Sequence, residues 1–153
     1  MPGPVTTQNP SVDGVDDTDV IVKRILSDYG TITVVGASNA VEKAAHYVPA
    51  YMQDHGWRII PINLAADEIL GEPVYRTLAD VPEQVGLVDV FRPAEATPDI
   101  ARQAVAAGAS ALWLQLHIAS AEARRIAEDA SLLYVEDRCL IIEQRRLRIN
   151  APT

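Results

Sequence analysis

Thr31-Ile32-Thr33-Val34-Val35-Gly36-Ala37-Ser38 is the stretch that decides the fold: five β-branched residues in a row, closed by a glycine and two small residues. A run with no charge on either face suits a strand buried from both sides. The glycine behind it permits a tight turn into a helix. Four further runs of the same kind follow at 59–62, 87–91, 111–116 and 132–135. Between them lie segments with helix punctuation: 44–55 closes on Gly56, 94–107 closes on Gly108, and Ser120 can cap 121–130. Pro49 and Pro98 suit only the first turn of a helix, so the helices at 44–55 and 94–107 are expected to begin late or bend. The stretch 63–82 holds Gly71, Pro73 and Pro82 and reads as turns, with one helical turn at 77–81 in place of a full crossover helix. Strand and helix in alternation require right-handed crossovers. The expected fold is therefore α/β, a Rossmann-like three-layer sandwich with a five-stranded parallel sheet.

The rest of the chain is consistent with one such domain. Its 153 residues allow a single core, expected over 17–153, behind a flexible tail at 1–16 that has almost nothing apolar to bury. From Asp17 the text becomes helical: Thr18 can cap, Asp19 suits the positive helix end, and Ile21, Val22, Ile25, Leu26 and Tyr29 recur at helical spacing. Hydrophobic residues make up 48% of the chain and charged residues 22%, which excludes collagen-like and wholly disordered readings. A formal net charge of −8 repels a phosphate backbone, so nucleic acid is not an expected partner. No apolar run reaches the ~20 residues that span a bilayer, so no membrane is expected either. Cys139 is the single cysteine and the N-terminus offers no export signal; the cytoplasm is the expected compartment.

In a parallel α/β sheet a ligand sits outside the carboxyl ends of the strands, where the winding reverses. Those ends read Gly36-Ala37-Ser38, Pro61-Ile62-Asn63, Phe91-Arg92, Gln115-Leu116-His117 and Asp137-Arg138-Cys139. Gly36 stands where a nucleotide-binding fold presents backbone N–H groups to a pyrophosphate. Of the G-x-G-x-x-G fingerprint, however, only that first glycine is present, with Ser38 and Val41 at the other two positions. Asn63 occupies the place where an NAD-binding domain sets a carboxylate against the ribose hydroxyl. Being uncharged, it tolerates a phosphorylated ribose, whether of NADP or of coenzyme A; it is equally suited to form a turn.

These blocks together resemble a known family. Val34-Val35-Gly36-Ala37-Ser38, Ile60-Pro61-Ile62-Asn63, Leu87-Val88-Asp89-Val90-Phe91-Arg92, Leu112-Trp113-Leu114-Gln115-Leu116 and Asp137-Arg138-Cys139 occur in the same order and at similar spacing in small bacterial CoA-binding proteins. Those proteins are similar in turn to the nucleotide-binding domain of the succinyl-CoA synthetase α subunit and of NDP-forming acyl-CoA synthetases. The resemblance covers residues 20–148. It implies a Rossmann-like fold holding coenzyme A across the strand ends, with Gly36, Ala37 and Ser38 at the pyrophosphate and Asn63 near the adenosine. It also implies Phe91, Arg92 and Gln115 along the crevice wall and a basic residue at Lys43. Lys43 can pair with a phosphate or stand solvated at a helix start; Arg92 can grip a phosphate bidentately or pair with Glu95 three residues on. The chain departs from the family pattern at Leu64, where proline is usual, at Ala45, where serine is common, and at His117, which replaces a glycine. His117 can donate to the pyrophosphate when protonated, or simply meet solvent.

A catalyst is harder to find. Cys139 is the only thiol; it can react near the pantetheine thiol, or fill the end of the core. The synthetases that the chain resembles phosphorylate a histidine in a separate domain, so that activity here implies a partner chain. His46 and His55 lie on different sides of one helix without further ligands, and no metal site is expected. Trp57 and Trp113 lie in or beside strand runs and read as core, while Arg145, Arg146 and Arg148 suit a solvated edge beside Glu143. The leading expectation is a module that binds coenzyme A or an acyl-CoA, without chemistry of its own. The rivals are an NADP-linked reductase or acyl-CoA processing enzyme, and a protein-interaction module that has lost its nucleotide.

Overall fold

Parallel pairing on both edges of one strand organises the molecule, whose computed structural model describes residues 17–153. That strand is β1 (Thr31–Val35), which pairs with β2 (Arg58–Ile62) on one side. On its other side lies the strand Leu87–Val90, so that Val35 stands opposite both Ile62 and Val90. Between these come two short antiparallel strands, β3 (Glu68–Ile69) and β4 (Glu72–Pro73), which make Leu87–Val90 strand β5. With β6 (Ala111–Leu114) and β7 (Leu133–Val135) the parallel sheet has the order β2-β1-β5-β6-β7. The fold is the five-stranded parallel α/β sandwich expected from the sequence. The tail expected at 1–16 lies outside the described residues.

Alternation along β1 divides the core. Ile32 and Val34 face a cluster built with α1 (Asp17–Asp28), α2 (Ala44–Asp54) and a helix at Leu140–Leu147, while Val35 faces a second cluster. The second is covered by α3 (Thr97–Ala106) and α4 (Ala121–Asp129), which leaves Leu140–Leu147 as α5. Trp57 and Trp113 are core residues as expected, and each satisfies its indole N–H on a backbone carbonyl, that of Tyr29 and that of Arg138. Ser120 caps α4 by accepting from the Ala123 N–H. Arg146 pairs with Asp19 of α1 and Glu143 of α5, so this member of the basic edge ties the first helix to the last.

Three local features differ from the sequence reading. The sequence reading places no element at 140–147, where the chain forms a helix whose Glu143 and Gln144 are buried, Glu143 against Arg146 and Gln144 on the Ile149 carbonyl. The hairpin of β3 and β4 arises in the stretch read as turns. It is held by only two residue pairs, too few to leave an alternating pattern. The third concerns Pro49, which sits inside α2 although the helix begins at Ala44. Proline removes one helical N–H, and the carbonyl thereby orphaned, that of Ala45, accepts from the Ser38 backbone N–H at 3.2 Å. The helix therefore has no need to start late. Pro98 stands in the first turn of α3, as expected.

One core group is out of balance. Asp89, at the middle of the sheet in β5, has 0% exposure, and neither carboxylate oxygen has a hydrogen-bond partner among the described residues. Burial pushes its pKa well above the ordinary 3.8; the Val90 N–H opposes this weakly, without hydrogen-bond geometry. The folded chain thus keeps a proton on Asp89 that the unfolded chain releases above about pH 4. The contribution of Asp89 to folding stability is fully present below that pH and is lost as pH rises through its folded-state pKa. Urea unfolding from pH 4 upward is expected to show this decline in the wild type and a flatter profile in Asp89→Asn; parallel profiles would contradict it.

Candidate functional site

The winding of the sheet reverses between β1 and β5, since β1 continues outward to β2 and the chain then returns to the other side. At the carboxyl ends of these two strands opens a crevice of about 850 Å3, inside the range of roughly 300–1,000 Å3 usual for small-molecule sites. Gly36, Ala37, Ser38, Lys43, Asn63, Phe91 and Arg92 all line it. So do Ala45 and Leu64, two of the three departures from the family pattern.

The turn after β1 is held from three directions. Gly36 has φ +88°, open to glycine and strained for any side chain. A Cβ there would come within 3.1 Å of Arg92 Cδ and 3.2 Å of the Phe91 carbonyl, so the bare glycine lets the Arg92 stem lie across the reversal point. The Gly36 and Ala37 N–H groups both donate to the Ile62 carbonyl at the end of β2, each at 3.1 Å. Ser38 gives its N–H to Ala45, receives His46 Nδ1 on its carbonyl at 2.8 Å, and accepts the Ala40 N–H on its hydroxyl. The carbonyl can only accept, so Nδ1 of His46 carries the proton.

These bonds reassign the donors that the sequence suggested. The amides of Gly36, Ala37 and Ser38 are spent inside the chain. Among the described residues, the N–H groups of Ala44 and Ala45, in the first turn of α2, have no acceptor, and neither do those of Asn39, Val41 and Glu42 in the loop before it. Such groups at a helix start attract anions, and Lys43 stands immediately before them. The Ser38 hydroxyl keeps its proton free to donate, since its bond to Ala40 uses only a lone pair.

Asn63 takes the turn-forming role that the sequence left open. Its Nδ2 donates to the Ala37 carbonyl at 2.8 Å and its Oδ1 accepts from the N–H groups of Ala65 and Ala66. It therefore ties the β2 loop to the β1 turn. Arg92 and Lys43 have no ion pair among the described residues, so the pairing of Arg92 with Glu95 is not made. Arg76 also lines the crevice, bonded to the Asn63 and Ala66 carbonyls and paired with Asp67. Sequence reasoning missed it because it stands 13 residues beyond Asn63, in a loop whose path back to β2 follows from the bridge between Ile62 and Tyr75.

Gln115, expected on the wall, and His117, a candidate pyrophosphate donor, lie elsewhere. Gln115 is 97% buried at the end of β6, where its Oε1 accepts the Leu140 N–H at the start of α5. His117 is exposed on the turn beyond, with φ +72° and its N–H on Asp137 Oδ1 at 2.7 Å. Neither lines the crevice, because β6 is one strand further from the reversal point than β5. The positive φ also accounts for the glycine usual at position 117. Cys139 is partly buried, packed against the core cluster under α5.

Residues 30–145 match the family described as CoA binding domain. The uncharacterized protein YneT of Bacillus subtilis (strain 168) is 31% identical over 78% of this chain and 88% of its own length. A hypothetical protein from Pyrococcus horikoshii OT3, of known structure, is 33% identical and superposes with a TM-score of 0.82, covering 97% of this chain and 99% of its own. A Thermus thermophilus structure is 36% identical with a TM-score of 0.79, over 84% of this chain and 98% of its own. An ADP-forming acetate–CoA ligase of Archaeoglobus fulgidus is 29% identical over 46% of this chain, which is 11% of that enzyme.

The Pro49 effect is testable at the site. Pro49→Ala restores a helical N–H that competes for the Ala45 carbonyl, so amide hydrogen exchange at Ser38 is expected to quicken while the α2 core amides keep their protection. Unchanged exchange at Ser38 would show that the carbonyl is not held there by the missing N–H.

Proposed function

This chain belongs to the CoA binding domain family, and from that premise we propose that it binds coenzyme A or an acyl-CoA in the crevice at the β1–β5 reversal, as a carrier, sensor or regulatory module with no chemistry of its own. The observation that carries the reading is electrostatic. In a chain of net charge −8, the crevice collects Lys43, Arg76 and Arg92 against the single acid Asp99. Such a local reversal of sign favours a polyanion of small size. The diphosphate has suitable donors in the Ala44 and Ala45 amides, the Ser38 hydroxyl, Lys43 and Arg92. An apolar wall of Leu78, Ala96 and Ile100 offers a surface for the adenine.

The residues that line the crevice fit this ligand better than they fit a reaction. Cys139 does not line it, and nor does any histidine, so no nucleophile and base are paired there. The reading makes Gly36, Ala37 and Asn63 scaffold for the phosphate loop, with Lys43, Ser38 and Arg92 touching the ligand. Gln115 acts at one remove, by fixing the start of α5, and His117 stands outside.

Thermal denaturation with coenzyme A, NAD and NADP is expected to give the largest rise in Tm with coenzyme A; at a hundredfold excess over Kd a native-state ligand contributes about 2.7 kcal/mol. A rise with NADP alone would favour the reductase, and no rise with any of the three would favour the interaction module. Ser38→Tyr is expected to abolish the shift by filling the phosphate site, whereas Cys139→Ala should leave it almost unchanged.

A further inference from the structure

We propose that Arg76 reads the ribose phosphate of the ligand, so that it, and not the Gly36 turn, distinguishes coenzyme A from its dephospho form. The inference rests on the coenzyme A reading above and adds a residue and a specificity to it. In a sheet wound like this one the ribose of a bound nucleotide lies at the end of the second strand, where a carboxylate or a cation selects its hydroxyl or phosphate. Here Asn63 holds that position but is fully engaged, with Nδ2 on Ala37 and Oδ1 on Ala65 and Ala66. The charge comes instead from Arg76, brought back to the same loop by the pairing of Tyr75 with β2.

The guanidinium is divided between anchoring and recognition. Nη1 donates to the carbonyls of Asn63 and Ala66, which uses both of its protons and fixes the plane of the group. Among the described residues Nη2 meets only Asp67 Oδ1, at 2.9 Å, and the Asp67 side chain is 94% exposed. An exposed pair of this kind contributes little and is readily exchanged. When Asp67 swings away, the Nε and Nη2 edge becomes a two-donor fork suited to a phosphate. Asp67 is then a stand-in anion that keeps the fork oriented until a doubly charged phosphate displaces it.

Isothermal titration of coenzyme A and dephospho-coenzyme A into the wild type and three variants tests this. The wild type is expected to prefer coenzyme A by about ten- to a hundredfold, the span of one charged hydrogen-bonded contact. Arg76→Gln should bring that ratio close to one by weakening coenzyme A about ten- to a hundredfold more than dephospho-coenzyme A, whereas a collapsed loop would weaken the two ligands alike. Arg76→Lys should keep part of the preference, having charge without the fork. Asp67→Asn removes the competitor and should widen the ratio. A wild type that binds both ligands equally, or an Arg76→Gln variant that keeps the full preference, overturns the role of Arg76 while leaving the coenzyme A reading intact. A wild type that binds neither overturns both.

Discussion

The carbonyl of Ile62 accepts two backbone N–H groups at once, those of Gly36 and Ala37, and the remainder of the site is arranged around that bond. It locks the end of β1 to the end of β2 just beyond the last ladder pair, Val35 with Ile62. The chain then leaves β1 through a left-handed glycine, turns over the sheet edge and enters α2 with Ser38 already fixed. Because the amides of Gly36, Ala37 and Ser38 are satisfied internally, the open donors lie downstream, in the loop after Ser38 and in the first turn of the helix. Geometry, charge and available N–H groups thus converge on Lys43 to Ala45 and not on the glycine itself.

Pro49 belongs to the same design. A proline in mid-helix ordinarily costs about 3 kcal/mol through a lost bond and a clash. Here the vacated carbonyl finds the Ser38 N–H, so the lost helical bond is replaced by one that holds the turn after β1 against α2. Asp89 is the opposite case, a polar group in the core for which no partner is provided. It lies one residue from the reversal-point end of β5, and its proton is held there by desolvation alone.

The absence of a full helix between β2 and β5 among the described residues shapes the mouth of the crevice. The short hairpin and the 3-10 turn at Leu78–Asp80 follow β2 where a crossover helix would have covered the sheet. Arg76 and Leu78 consequently reach the same cavity as Ile100 and Gln103 of α3. Leu64, 74% exposed, stands at the rim where a proline would have stiffened the loop. The loop is stiffened instead by Asn63 and Arg76, through bonds to backbone carbonyls and amides.

The sequence by itself determined the sheet and the order of its elements, because buried parallel strands leave continuous β-branched runs and helix ends leave glycine, proline and serine at fixed offsets. Gly36, Ala37, Ser38, Asn63, Phe91 and Arg92 were legible as one group for the same reason, since each follows a strand that must end at the same edge, while Lys43 joined them only through the resemblance to the family. Only the tertiary structure decided how these residues share their hydrogen bonds. No local pattern shows that Gly36, Ala37 and Ser38 have spent their amides, that Gln115 caps α5, or that Arg76 returns to the loop after β2. Those outcomes depend on which carbonyls lie within reach once distant segments pack, and reach is a property of the folded chain.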